Sequence, residues 1–109
     1  MLTIELDYGT VRIGQNAEQN WKIIDSANPE DYWFHVANYS SCHIVLSCHD
    51  KKYKFNNGNI KYLAGLCKQY TNKCKSINNL SINYTKIKNI KKGKYVGSVS
   101  IKNFKTIKI

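Results

Sequence analysis

Hydrophobic and polar positions alternate with a period of two at the start of the chain. Leu2, Ile4 and Leu6 are each separated by a polar residue, and the pattern returns at Val11 and Ile13. Because successive side chains of a strand point to opposite faces, these two runs predict an antiparallel hairpin with a turn over residues 7–10.

The pattern then changes to a helical spacing. Asn16 is a favourable N-cap, and Gln19 stands three residues later, where a capping box places its second member. Trp21 and Ile24 recur at intervals of three to four. We therefore predict a helix over residues 17–27, and Pro29 prevents its continuation.

The middle of the chain predicts two strands and a second helix. Residues 32–37 and 43–48 are rich in aromatic and β-branched side chains. Asn57-Gly58 predicts a turn, and Asn59 is the expected cap of the helix that follows. One apolar face of this helix would contain Ile60, Leu63, Cys67, Tyr70 and Cys74, and a lysine ridge on another face would contain Lys61, Lys68 and Lys75.

Alternation resumes over residues 80–85, which predicts a further strand. Val99 and Ile101, followed by Ile107 and Ile109, indicate a final strand or hairpin bent near Asn103. The elements together predict a single α+β domain over residues 1–109. We expect a mostly antiparallel sheet of about six strands, with both helices packed on one of its faces.

The composition favours a soluble protein of the cytoplasm. No apolar run reaches the ~18 residues of a membrane span, and the first residues lack the layout of a signal peptide. We therefore expect no membrane partner. In a reducing compartment the four cysteines are expected to remain free thiols; they are Cys42, Cys48, Cys67 and Cys74.

Charge is distributed very unevenly along the chain. All seven acidic residues lie in residues 1–50, whereas residues 51–109 contain fifteen lysines and no acid. An AT-rich coding sequence would enrich lysine but would not remove Asp and Glu. Since polyanions are held by many spaced cations, we expect phosphate contacts from one contiguous lysine surface, formed by Lys61, Lys68, Lys75, Lys86, Lys88, Lys91, Lys92 and Lys94.

The most specific motif is Pro-Glu-Asp-Tyr-Trp-Phe-His-Val at residues 29–36, followed by Ser-Ser-Cys-His at residues 40–43. It resembles the NFACT RNA-binding domain, which has Asp-x-Trp-Phe-His-Val and then Ser-x-His before an apolar strand. Residues 11–16 with Asn20, and residues 82–94, also resemble that family. The sequence of these two motifs is most similar to that of eukaryotic stand-alone members with a coiled-coil tail. The resemblance implies a nucleic-acid-binding module without enzymatic activity, with RNA favoured over DNA and with tRNA or the ribosome, in ribosome quality control, as candidate partners.

The motif itself predicts a polar pocket formed by Asp31, Trp33, His35, Ser41 and His43. Adjacent Trp33 and Phe34 face opposite sides of a strand, so one ring leaves the main core unless helices cover both faces. If the two motif strands pair, the imidazoles could approach each other and Asp31. Three interpretations stay open: a structural hydrogen-bond network, a nucleotide-contacting pocket, or an acid/base or metal site.

The remaining residues limit the chemistry. No Gly-x-Ser-x-Gly elbow, paired carboxylates or phosphate loop is present, so we predict no catalytic residue and no cofactor. The Cys-His pairs at 42–43 and 48–49 would lie about 20 Å apart along a strand, which argues against a zinc site. With Arg12 as the only arginine, contacts to phosphates should dominate over sequence readout.

Three functions are consistent with these residues. Nucleic-acid binding is the first, and an adaptor that binds an acidic protein or a component of translation or ribosome quality control is the alternative. The third is a small hydrolase built on Asp31, His35 and His43. The oligomeric state is left open.

Overall fold

The computed structural model describes all residues from Met1 to Ile109. In chain order the strands are β1 (Leu2–Leu6), β2 (Gly9–Gly14), β3 (Tyr32–Val36), β4 (His43–Cys48), β5 (Ser81–Lys86), β6 (Ile90–Lys92), β7 (Val99–Ile101) and β8 (Lys105–Lys108). The helices are α1 (Ala17–Ser26) and α2 (Asn57–Gln69). Six strands form one antiparallel sheet in the order β1-β2-β4-β3-β5-β8, and β6 and β7 form a second, two-stranded sheet. The predicted α+β class is confirmed.

Both faces of the large sheet are covered, which corrects the expectation that both helices pack on one face. Phe34 packs with α2 residues such as Leu63 in the larger core cluster. Trp33 packs on the opposite face with Ile23 and Ile24 of α1. Because β3 and β4 carry apolar residues at consecutive positions, a helix is needed on each side of them. Neither ring of the Trp33-Phe34 pair is therefore left exposed, their exposed fractions being 1% and 0%.

Helix α2 begins and ends earlier than predicted. Asn56 is its N-cap, and the side chains of Asn56 and Asn59 accept hydrogen bonds from each other's backbone N–H groups in a capping box. Asn57 and Gly58 therefore belong to the helix and do not form a turn. The helix ends at Gln69 and a short 3₁₀ helix follows at Asn72–Cys74, so the predicted ridge that places Lys75 on α2 is wrong.

The C-terminal segment divides between the two sheets. β7 pairs with β6, whereas β8 pairs with β5 at the edge of the large sheet. Asn103 has a positive φ of 50° between them, which supports the predicted bend at that position. Ile90, Val99 and Ile101 pack against the Trp33 cluster, so the β6–β7 hairpin lies on the same face as α1.

Two local features fix this hairpin against the start of α1. Trp21 donates a hydrogen bond from Nε1 to the carbonyl of Ser98 at 2.9 Å. Gly97 has a φ of +87°, and a Cβ atom there would approach the Cβ of Ala17 to 2.8 Å. Glycine allows both the left-handed backbone and the close approach. Neither helix has the length and hydrophobicity that a membrane crossing requires.

Candidate functional site

A groove of about 820 Å³ lies where four separate segments meet. Its walls come from residues 15–17 and Asn20 at the start of α1, 39–42 between β3 and β4, 70–73 after α2, and 96–99 before and within β7. His35 of β3 also lines it. The lining contains amides, hydroxyls and one lysine, Lys73, but no Asp or Glu.

Beside this groove lies a cluster of three aromatic rings from the motif. The Trp33 and His35 rings are parallel, with centroids 5.5 Å apart, and the His35 and His43 rings are perpendicular, with centroids 4.9 Å apart. Trp33 donates a hydrogen bond from Nε1 to Nδ1 of His43 at 3.2 Å. The imidazoles therefore do approach each other, as the sequence predicted.

Both imidazoles are held in the neutral form. Burial, and then repulsion from His35, lowers the pKa of His43 to about 3. Burial also lowers the pKa of His35. The bond from Trp33 requires Nδ1 of His43 to be unprotonated, which agrees with a neutral ring. At neutral pH neither ring carries a positive charge, and of the two only His35 lines the groove, since His43 is buried.

The position of α1 depends on Asn20 and Gly14. Asn20 is buried, and its Oδ1 accepts a hydrogen bond from the backbone N–H of His43 at 3.1 Å. A Cβ atom at Gly14 would lie 2.2 Å from that same Oδ1. The missing side chain at Gly14 therefore lets α1 contact the sheet next to the His43 ring.

Ser41 and Thr71 order the opposite wall of the groove. The Ser41 hydroxyl accepts from the backbone N–H of Val36 at 3.0 Å and donates to the carbonyl of Cys42 at 2.9 Å. The Thr71 hydroxyl donates to the carbonyl of Cys67 at 2.9 Å. The backbone N–H of Cys42 donates to the Thr71 hydroxyl at 3.4 Å, which connects the β3–β4 loop to the end of α2. The two Ser41 bonds support the structural-network interpretation of that residue.

Asp31 lies apart from the other motif residues. Its Oδ2 accepts hydrogen bonds from the Ser47 hydroxyl at 2.7 Å and from the Asn28 backbone N–H at 2.9 Å. It lines a separate cavity of about 470 Å³. His35 lies four positions after Asp31 along extended backbone, which places the two residues about 13 Å apart. The predicted single pocket is thus divided, and a hydrolase site built on Asp31, His35 and His43 has no geometric basis.

The Cys-His pairs at 42–43 and 48–49 lie at opposite ends of β4. No group of three His, Cys, Asp or Glu side chains is arranged to hold a metal ion. All four cysteines are free thiols.

The predicted lysines do not form one continuous surface, which corrects that expectation. Glu30 forms ion pairs with Lys86 at 2.9 Å and Lys88 at 3.2 Å, and Asp25 pairs with Lys92 at 2.7 Å. Bonding to the two lysines lowers the pKa of Glu30, and bonding to Glu30 raises the pKa of Lys86. Acids of the first half therefore neutralise part of the lysine-rich half.

The other lysines lie on different parts of the molecule. Lys61 and Lys68 belong to α2, on one side of the sheet, and Lys68 donates to the carbonyl of Ile109 at 3.1 Å. Lys91 and Lys94 belong to the β6–β7 hairpin on the other side. The following residues have exposed side chains and no carboxylate within ion-pair distance: Lys61, Lys75, Lys91 and Lys94.

Several groove residues are not identified by sequence reasoning. The sequence pattern places Tyr39 only in a polar connection, and it places Thr71 and Lys73 within a longer helix. The actual positions of Thr71 and Lys73 depend on where α2 ends, at Gln69. The capping pair Asn56 and Asn59 indicates where α2 starts, but it does not fix where the helix ends.

Comparison with known proteins identifies the family and supports the fold. The family model for the NFACT protein RNA binding domain matches residues 3–103. Coiled-coil domain-containing protein 25 from Bos taurus is 31% identical over 104 residues, which are 92% of this chain and 50% of that protein. The chain thus spans about half the length of this relative, whose name agrees with the predicted likeness to coiled-coil-tailed eukaryotic members.

A solved structure shows the same fold. It is the C-terminal part of the fibronectin/fibrinogen-binding protein from Streptococcus suis, with a TM-score of 0.78 and 21% identity over 93% of this chain and 40% of that one. The matching family model indicates nucleic-acid binding, and a binding module more than an enzyme. Because that model covers nearly all of its residues, this chain belongs to the family of NFACT protein RNA-binding domains.

Proposed function

We propose that the domain binds RNA by holding phosphates with the unpaired lysines around the groove. The observation that carries this proposal is the charge of the groove and its rims. No carboxylate lines the groove, Lys73 stands in one wall, and Lys94 lies in the loop that forms the other wall. Lysines on both sides of a carboxylate-free groove suit a phosphate chain that runs along it.

Phosphate contacts should dominate the affinity. Arg12 is the only arginine, and its Nη1 donates to the Ser47 hydroxyl at 3.4 Å. Bidentate reading of guanine by arginine is therefore a minor contribution at most. We accordingly expect little dependence on sequence and a strong dependence on salt.

Within the cell, we propose tRNA or ribosomal RNA as the ligand, a role in ribosome quality control, and the cytoplasm as the location. RNA is proposed over DNA because the matched family is described as RNA-binding. An acidic protein partner is the competing proposal, and it would use the same lysines without direct binding to RNA.

A salt titration tests the proposal. Fluorescence anisotropy with labelled tRNA should show direct binding, and contact with about six phosphates should give a slope near −4 for log affinity against log salt, if these contacts lie in single-stranded segments. The double variant Lys73→Glu/Lys94→Glu should weaken binding and flatten the slope.

The control is Lys52→Glu/Lys54→Glu, which makes the same charge change in the exposed loop after β4. That loop follows the C-terminal end of β4, and none of its residues lines the groove. Equal losses in both variants would mean that net charge alone drives binding. No binding of tRNA by the wild-type protein, together with binding of an acidic protein, would reject the proposal.

A further inference from the structure

We infer that the groove receives unpaired bases, so that the RNA is bound as a single strand with Tyr39 as a stacking residue. This inference rests on the proposed function and adds the form of the ligand to it. It follows from the shape of the groove, the chemistry of its lining and the exposed ring on its wall.

The lining suits base edges better than phosphates. Asn16 and Asn20 use their Oδ1 atoms to accept backbone N–H groups, from Gln19 and His43 respectively. Their amide NH₂ groups make no hydrogen bond within the protein and can donate to base acceptors. Asn72 adds a further amide to the same lining. Neutral donors and acceptors of this kind match the edges of unpaired bases, whereas phosphates are better held by the lysines on the rims.

An aromatic ring stands open in the wall of the groove. Tyr39 is 44% exposed although it is a large side chain. It follows Asn38, whose positive φ of 65° marks the tight turn after β3. Close by, the parallel packing of His35 on Trp33 gives the groove a second, fixed ring. A base that enters the groove would therefore meet two rings, and stacking on such rings contributes about 1–3 kcal/mol per base.

The concave shape distinguishes a single strand from a duplex. Proteins recognise an RNA duplex mostly by its shape, through contacts to phosphates and 2′-hydroxyl groups across its wide, shallow minor groove, and not by taking up its paired bases. Here the neutral polar residues lie inside a concavity, with Lys73 in one wall and Lys94 in the loop that forms the other. Bases can enter only if they are not already paired and stacked in a helix, and their phosphates then remain at the lysine-bearing rims.

The experiment compares two probes and three variants. The probes are a fluorescein-labelled single-stranded RNA of about twelve nucleotides, within the site sizes of single-strand binders, and the same strand annealed to its complement. The variants are Tyr39→Ala, Tyr39→Phe and Tyr62→Ala. Tyr62 is the matched control because it is 46% exposed, lies on α2 and does not line the groove.

We expect the single strand to bind more tightly than the duplex. Tyr39→Ala should weaken single-strand binding by about 5- to 150-fold, which corresponds to the stacking energy of one base. Tyr39→Phe, which keeps the ring, and Tyr62→Ala should bind like the wild type. Because Tyr39 is exposed, thermal unfolding of all three variants should match the wild type.

Two results would overturn the inference and leave RNA binding intact. One is wild-type affinity of Tyr39→Ala for the single strand, and the other is duplex binding as tight as single-strand binding. Failure of the proposed function looks different, because neither probe would then bind the wild-type protein at low salt. If the domain binds an acidic protein and no RNA, neither probe would bind either.

Discussion

Lowering the pH should destabilise the domain through His43. The ring is 1% exposed, and its pKa falls from the ordinary 6.5 to about 3 in the folded protein. Between these two values the unfolded chain binds a proton at His43 that the folded chain does not bind. The free energy of unfolding therefore falls as the pH falls through this window. The stability that the neutral His43 ring contributes is fully present only above the pKa that His43 has in the unfolded chain.

The magnitude follows from the two pKa values. Going from about pH 7.5 to about pH 5 should cost roughly 2 kcal/mol from His43 alone, since one pKa unit corresponds to about 1.4 kcal/mol. Burial also lowers the pKa of His35, which adds a loss of the same sign. A loss of this size is a large part of the 5–15 kcal/mol that stabilises a typical domain, to order of magnitude.

Urea unfolding, followed by tryptophan fluorescence at both pH values, measures this loss. The variant His43→Asn removes the titrating group and places an acceptor oxygen near the position of Nδ1, where Trp33 donates its hydrogen bond. All other titrating groups are common to both proteins, so they cancel in the comparison. The variant should lose about 2 kcal/mol less than the wild type on acidification. Equal losses in the two proteins would show that protonation of His43 does not cause the destabilisation.

Three further predictions concern charge, packing and capping. Glu30→Gln removes the carboxylate that pairs with Lys86 and Lys88, so fluorescence anisotropy should show tighter RNA binding. The slope of log affinity against log salt should become steeper by about 0.7 for each additional phosphate that these lysines neutralise on a single strand. An unchanged slope would show that the two lysines contact no phosphate. Gly14→Ala brings a Cβ within 2.2 Å of Asn20 Oδ1 and should cost about 1–3 kcal/mol in urea unfolding, whereas Gly65→Ala, in open space on α2, should stabilise by about 0.5–1 kcal/mol. Asn56→Ala should lower the unfolding free energy by about 0.5–2 kcal/mol through loss of the helix cap, and calorimetry would contradict this if the melting temperature did not change.

Much of the secondary structure could be predicted because it depends on neighbours in the chain. The period-two pattern of β1 and β2 and the N-cap at Asn16 are local properties, and both appear in the structure. The predicted start of α2 was wrong because two asparagines three residues apart both suit a cap. In the structure Asn56 caps the helix and Asn59 completes the capping box.

The site was harder to predict because it is made of contacts between distant segments. The approach of the two imidazoles could be predicted on the single condition that β3 and β4 pair, since strand pairing fixes which residues face each other. The same register places Asp31 at the other end of the strand pair, against Ser47. The motif could therefore be recognised from the sequence, but its division between two cavities could not.

The distribution of charge shows most clearly what the sequence alone cannot predict. Counting residues along the chain correctly finds an acidic first half and a lysine-rich second half. Folding then brings Glu30 within ion-pair distance of Lys88, 58 positions away in the chain, and neutralises part of that excess. Periodicity, capping and composition are properties of short stretches of chain, whereas the lysines left free and the shape of the groove result from how four separate segments pack together.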